Sequence, residues 1–215
     1  MQNWKKVLID HSKQDYILKT YGTDYVNNSP LFLIIKSLKH NKKVLSFGCG
    51  GGREVKTLLN LGHTVTAVDI SKDMISQSKK IAPDARYFLK EVSEFKLNEN
   101  FDYILGLDNL LCYLPKDAVI RTIKNSLAML KENGKAIFSM IYMFSNYRTI
   151  AKSLIGFIRL KRFGDVICRH IDPNKPPCIM HYFTFKELQK ILKSLNAKYT
   201  IERKDGLLVI EITKT

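Results

Sequence analysis

The stretch Val44-Leu-Ser-Phe-Gly-Cys-Gly-Gly-Gly-Arg-Glu54 constrains the fold of this chain more than any other. An apolar run ending at Phe47 reads as a buried strand, and Gly48, Gly50 and Gly52 then let the backbone turn tightly and approach a ligand with no Cβ in the way. The segment from Gly52 to Leu61 is patterned as a helix. Strand, glycine turn and helix in succession put unpaired backbone N–H groups at a helix N-terminus, facing the crevice where open α/β sheets bind ligands.

Around this unit the apolar periodicity alternates. Helices over 3–20 and 30–40 precede it, the second opened by Ser29 as cap and Pro30 in its first turn. There follow strand 43–47, helix 52–61, strand 64–69, helix 71–81, strands 85–90 and 101–107, helix 115–131 and strand 135–142. Such alternation implies an α/β fold with a mostly parallel sheet and right-handed crossovers. After residue 142 the rhythm breaks, and the segment to about residue 180 is too long for an ordinary connection. A helix over 184–196 comes next, with Thr184 as cap and Glu187 as the acid of a capping box. Strands 198–204 and 207–213, separated by Asp205-Gly206, read as a closing hairpin.

The 215 residues suit a single domain. Its parts are N-terminal helices over 1–41, a binding core over 42–142, a lid or substrate insertion over 143–181, and the closing helix and hairpin over 182–215. Cys49, Cys112, Cys168 and Cys178 form no CxxC pair, so neither a zinc site nor a disulfide framework is indicated, and Cys49 reads as a small spacer within the glycine turn. No apolar run approaches the roughly 20 residues needed to span a bilayer. Asp10, His11 and Asp15 interrupt any signal-peptide core, so the expectation is a cytoplasmic protein without integral membrane association. The net charge of +15 favours an acidic partner, although widely spread lysines also suit a solvated surface.

The spacing Gly48-x-Gly50-x-Gly52 departs from the dinucleotide fingerprint GxGxxG, whose third glycine position is Arg53. The second strand, Val65-Thr-Ala-Val-Asp69, ends in a carboxylate suited to the two hydroxyls of a ribose. Here the sequence resembles the class I, Rossmann-like methyltransferases that use S-adenosyl-L-methionine, over residues 40–142 and more weakly over 181–213. The resemblance implies a seven-stranded sheet of order 3-2-1-4-5-7-6 with the last strand antiparallel. It also implies that Gly48, Cys49, Gly50 and Gly52 wrap the methionine and ribose portions of the cofactor, that Asp69 binds the ribose and that Ile70 packs on the adenine. Glu91 and Val92 match the family's acidic position, where a carboxylate and a backbone N–H meet the adenine edge. Phe101-Asp-Tyr-Ile-Leu-Gly-Leu-Asp-Asn109 resembles the fourth-strand motif, with Asp102 structural and Leu107 and Asp108 as contacts to the methionine end. Leu130-Lys-Glu-Asn-Gly134 resembles the turn into strand five, with Gly134 needed for the turn. One departure is Ser46, which stands where many members have an acid.

Methyl transfer from a sulfonium is an in-line displacement, so a protein of this kind mainly aligns the acceptor and excludes water. A general base is needed only for a protonated nucleophile. His181, just before the capped helix, is the candidate base, the other reading being an interfacial histidine with no chemical role. Tyr113 after strand four is a candidate pocket residue, the other reading being a packing role. Tyr16 and Tyr21 are candidates to close over the cofactor. Asp108-Asn-Leu-Leu111 lacks the Asp/Asn-Pro-Pro-aromatic tetrad of enzymes that methylate nucleic-acid amines, which disfavours that chemistry. In the insertion, Arg148, Lys152, Arg159, Lys161, Arg162, Arg169 and Lys175 oppose only Asp165 and Asp172, as suits a carboxylate, a phosphate or RNA. Its apolar residues Ile150, Leu154, Ile155, Phe157, Ile158 and Leu160 are expected to pack a helix over the site; a membrane-surface face is the other reading. The favoured function is methyl transfer to O or N of a small-molecule acceptor. An RNA or protein methyltransferase and a non-catalytic cofactor-binding module, kept open by Ser46, are the alternatives.

Overall fold

A computed structural model of the chain describes residues 5, 6, 9, 29–160, 164–168 and 178–214. The first expected N-terminal helix, over 3–20, therefore lies largely outside the described residues, as do Tyr16, Tyr21, Lys161, Arg162, Arg169, Asp172 and Lys175. The elements that position the site are, in chain order, α1 (Pro30–Lys36), β1 (Lys43–Phe47), α2 (Arg53–Asn60), β2 (Thr64–Asp69), α3 (Lys72–Ile81), β3 (Arg86–Leu89) and β4 (Phe101–Gly106). Then come α4 (Lys116–Met129), β5 (Leu130–Ile141), α5 (Tyr147–Leu160), β6 (Asp165–Cys168), β7 (Cys178–His181), α6 (Phe185–Ser194), β8 (Lys198–Lys204) and β9 (Leu207–Thr213).

Seven strands form one sheet in the order β3-β2-β1-β4-β5-β9-β8. Strands β1 to β5 pair in parallel, whereas β9 runs antiparallel to both of its neighbours. Numbering the seven strands in chain order gives 3-2-1-4-5-7-6, as expected. Strand β1 separates β2 from β4, so the chain crosses to opposite sides of the sheet from it, and a crevice opens at its carboxyl end. Alternate β1 residues feed two cores. Leu45 and Phe47 join a cluster with Phe101, Leu111 and Phe138. Val44 faces the other way, toward Ile35, Val55 and Leu58. Burying each of the large side chains here contributes about 1.5–3 kcal/mol relative to exposure.

Local chemistry sets the element ends. Ser29 Oγ accepts from Phe32 N–H at 3.2 Å, and Pro30 opens α1 behind it. Asp205 and Gly206, with φ of 48° and 81°, make the tight turn between β8 and β9. Where a turn into strand five was expected, β5 has already begun, and its left-handed residue is Asn133 (φ 62°), not Gly134. Gly134 is required for a different reason, since a Cβ there would meet Lys131 O at 2.8 Å and Phe101 O at 3.1 Å.

The insertion departs from expectation twice. Strands β6 and β7 pair as a small antiparallel sheet of their own, where the sequence suggested only a long connection. The helix α5 is present, but its faces are reversed. Its buried residues are Thr149, Ser153 and Gly156, while Leu154, Ile155 and Ile158 are 51%, 50% and 76% exposed. The expected apolar underside is therefore corrected. Spacing of i, i+4 and i+7 puts the small residues on one side, where they allow a closer approach than any leucine would. A Cβ on Gly156 would lie 1.7 Å from Asp165 O.

Candidate functional site

The glycine turn leaves β1 in a conformation that only glycine adopts readily. Gly48, Gly50 and Gly52 have φ of 65°, 51° and 94°. Space is as restrictive as dihedral angle at two of them. A Cβ on Gly48 would lie 2.7 Å from Leu110 Cδ1, and one on Gly52 would lie 2.7 Å from the Ser78 backbone. Within the turn itself, ahead of the helix, amides are paired. Gly48 and Cys49 N–H both donate to Val68 O (2.8 and 3.1 Å), Gly50 N–H to Asp69 Oδ2 (2.9 Å), and Gly52 N–H to Cys49 O (3.1 Å). The turn thus fixes its own shape, and its contribution is a Cβ-free wall. Cys49 is buried, and burial pushes its thiol well above the ordinary range, which suits a spacer and not a nucleophile.

Asp69 ends β2 directly beside the turn. Its Oδ2 accepts from Gly50 and its Oδ1 from Ser71 N–H at 2.8 Å. Each oxygen keeps a further lone pair. Burial holds this carboxyl above its ordinary range, against the pull of the backbone N–H groups. Ile70 follows, half-buried at the crevice edge. Glu91 has a structural role beside the expected one: Oε1 accepts from Ser93 N–H (2.8 Å) and Oε2 from Ser93 Oγ (2.6 Å), capping a 3₁₀ turn over Val92–Glu94. As at Asp69, each oxygen keeps a further lone pair. The Val92 side chain lies in the main core.

The end of β4 supplies the third wall. Leu107 is buried, and Asp108 and Asn109 take consecutive left-handed conformations, φ 54° and 72°. Asp and Asn tolerate this region best among residues other than glycine. The turn is held by Asp108 N–H to Ser139 Oγ (3.0 Å), Asn109 N–H to Ser139 O (3.0 Å) and Ile141 N–H to Asn109 Oδ1 (2.6 Å). Strain that must be held by three hydrogen bonds at a strand's carboxyl end is characteristic of a site. Asp102, at the far end of the strand, accepts from Lys43 N–H and Lys131 Nζ at 2.9 Å each, a purely structural role. Tyr113 closes the following 3₁₀ turn, half-buried against the main core.

Sequence reasoning passed over Glu54, in the first turn of α2. It is buried, and neither its Oε1 nor the neighbouring Ser46 Oγ has a hydrogen-bond partner. The two side chains are close enough for the hydroxyl to favour the carboxylate, but no hydrogen bond of normal geometry joins them. Burial pushes the Glu54 carboxyl up to about 7; the Asp108 charge adds to this, and Arg53 opposes it. An acid missing from β1 at Ser46 is thus present in the same pocket, delivered by the helix. The sequence shows only an acidic residue in the first turn after the glycines, which does not by itself reveal the pairing with Ser46.

His181 is bracketed by two carboxylates. Its Nδ1 lies 2.6 Å from Asp165 Oδ1 and its Nε2 lies 3.0 Å from Glu187 Oε2. Burial alone would depress this histidine, but the paired acids outweigh it and raise it from 6.5 to about 9. It is a cation at neutral pH with both nitrogens donating, so of its two sequence readings the geometry favours the interfacial histidine over the general base. Thr184 caps α6 as expected, accepting from Glu187 N–H at 3.2 Å, but the Glu187 carboxylate reaches His181. The triad ties the insertion to α6.

The sheet order, with the glycine turn at its reversal point and the acid ending β2, is that of the Rossmann-like methyltransferase fold, and residues 44–134 match the family model for a methyltransferase domain. Over those residues, less than half of its length, the chain is similar to that family. It is 32% identical over 120 residues to a ubiquinone biosynthesis O-methyltransferase of Coxiella burnetii, a match covering 54% of this chain and 49% of that protein. The chain thus spans about half the length of the curated relative it matches. Among solved structures it resembles a SAM-dependent methyltransferase from Methanosarcina mazei, with TM-score 0.71 and 21% identity over 89% of this chain and 99% of that one. It also resembles the magnesium protoporphyrin IX methyltransferase of Synechocystis with bound SAH, with TM-score 0.69 and 15% identity over 99% of this chain and 100% of that one.

Proposed function

We propose that this chain transfers a methyl group from S-adenosyl-L-methionine to an oxygen or nitrogen of a small-molecule acceptor. The observation that carries the proposal is the pair of buried acids flanking the glycine turn. Asp69 retains lone pairs for vicinal hydroxyls, and Glu54 retains an unpartnered oxygen suited to an ammonium. A nucleoside joined to an amino acid presents both groups. The glycine wall admits such a ligand without steric conflict, so the residues present fit the cofactor.

The cofactor supplies an electrophilic methyl on a sulfonium, open to in-line displacement. The chain's residues bind and orient. Asp69 takes the ribose hydroxyls, Ile70 lies against the adenine, and the Val92 backbone meets the ring edge. Glu54, helped by Ser46, takes the ammonium. Leu107 and the rigid Asp108-Asn109 turn border the methionine end and hold the place where the acceptor must arrive. Since His181 is already protonated, an acceptor that loses a proton gives it to water or to another group. An acceptor of modest size is favoured because the insertion, joined to α6 through His181, borders the same end of the sheet. The relatives named for ubiquinone biosynthesis and for a porphyrin point the same way. The basic residues of the insertion favour an anionic acceptor.

The test is transfer of radiolabelled methyl from the cofactor into cell extract, separated into metabolites, RNA and protein. Label in the metabolite fraction is expected. Label confined to RNA or protein would replace the acceptor class, and absence of transfer alongside cofactor binding would leave a binding module.

A further inference from the structure

The reversed helix α5 carries a second inference, independent of methyl transfer. At about 3.6 residues per turn its side chains divide into three sectors. Thr149, Ser153 and Gly156 face inward. Tyr147, Ile150, Leu154, Ile155 and Ile158 share an outward arc, with exposures of 73%, 36%, 51%, 50% and 76%. Between these two sectors, along one border, run Arg148, Lys152 and Arg159. Arg148 stacks on Tyr147 at 5.7 Å, and among the described residues none of the three is joined to a carboxylate.

The helix cannot roll over to hide the apolar arc. Gly156 packs so closely on β6 that a Cβ would lie 1.7 Å from Asp165 O, so any larger side chain turned to that side would separate the two elements. Asp165 is in turn fixed by His181 at 2.6 Å. The apolar arc is therefore a built surface, held outward by the packing of small residues beneath it.

We propose that this face of α5 docks the protein on an anionic phospholipid surface, lying in the plane of the headgroups. The apolar arc would enter the acyl boundary, and Arg148, Lys152 and Arg159 would lie along the phosphates. Charge complementarity selects this occupant over a second copy of the chain. Two copies, each of net charge +15, would have to bring their cationic borders together, whereas an anionic bilayer attracts them. With 14 residues the helix is too short to cross a bilayer, and no described helix is long and apolar enough to do so.

The test is sedimentation of the full chain with vesicles of phosphatidylglycerol mixed with phosphatidylcholine, and with vesicles of phosphatidylcholine alone. Binding is expected to be about tenfold stronger on the anionic vesicles and to fall with added salt. The double variant Leu154→Gln/Ile158→Gln is expected to lose about tenfold or more of that binding while melting at the same temperature, because both side chains are exposed. Should that variant misfold, Lys152→Ala/Arg159→Ala, on the solvated border, carries the same expectation. Failure of the wild-type chain to bind anionic vesicles would overturn the proposal, as would binding that neither variant weakens. A dimer in the ultracentrifuge that Leu154→Gln/Ile158→Gln dissolves, with vesicle binding unchanged, would assign the face to a second copy instead.

Discussion

Titration of His181 should be visible as a pH dependence of stability with a definite sign. The group is raised from 6.5 in the unfolded chain to about 9 in the fold, by Asp165 at 2.6 Å and Glu187 at 3.0 Å. At about 1.4 kcal/mol per pH unit this displacement amounts to about 3 kcal/mol. The side chains are 22%, 13% and 30% exposed, so solvent screening removes little of it. A raised histidine stabilises fully below its unfolded value, and that stabilisation declines from about pH 6.5 and is gone above about pH 9. The lowering of Glu187 is the same interaction seen from its partner and adds nothing further. His63 shifts the opposite way, lowered by burial, so the comparison must be with a variant that keeps it. Urea denaturation of wild type and His181→Gln, from pH 5.5 to 10, should show a stability difference that shrinks by about 3 kcal/mol across that range. For a chain of this size that is about 6–12 °C in melting temperature. A difference independent of pH, or one that grows toward alkaline pH, would refute the triad as described.

Three further outcomes follow from the site. Glu54→Gln should weaken S-adenosylmethionine in a thermal-shift titration while leaving 5′-methylthioadenosine, which lacks the amino-acid portion, unaffected; equal weakening of both would remove Glu54 from the ammonium site. Because burial raises Glu54 to about 7, wild-type affinity for the cofactor should rise between pH 6 and 8, by up to about tenfold per unit, and Glu54→Gln should abolish the rise in calorimetry. Gly134→Ala should cost about 1–3 kcal/mol in urea denaturation, because the new methyl meets Lys131 O at 2.8 Å; an unchanged midpoint would contradict that contact.

The parallel core was legible because its signals are local and redundant. Strand β1 ends at Phe47, where the glycines begin, and β2 ends at Asp69, where Ser71 caps the next helix. The hairpin turn at Asp205-Gly206 has one economical solution. The insertion was less legible because hydrophobicity was weighed and side-chain size was not. Thr149, Ser153 and Gly156 at helical spacing mark a close approach, but that becomes decisive only once β6 is known to lie beneath them. Strands β6 and β7 are four residues each and pair with one another across a gap, too short for a period of two to stand out. At the site, Asp69 could be read from its place at a strand end. Glu54 could not, since a glutamate in the first turn of a helix reads equally well as a partner for the helix dipole. The roles of His181 and Glu91 depended on neighbours: Asp165 is distant in sequence, and Ser93 draws Glu91 into capping a 3₁₀ turn.

The central claim is that the crevice beside the glycine turn holds S-adenosylmethionine through Asp69. Its most direct test is calorimetric titration of the demethylated product, S-adenosylhomocysteine, into the full chain and into Asp69→Ala. One site per chain is expected in the wild type, with at least about a tenfold loss of affinity in the variant, as removal of a charged hydrogen-bond acceptor implies. No binding at millimolar ligand, or equal binding by both proteins, would contradict the account.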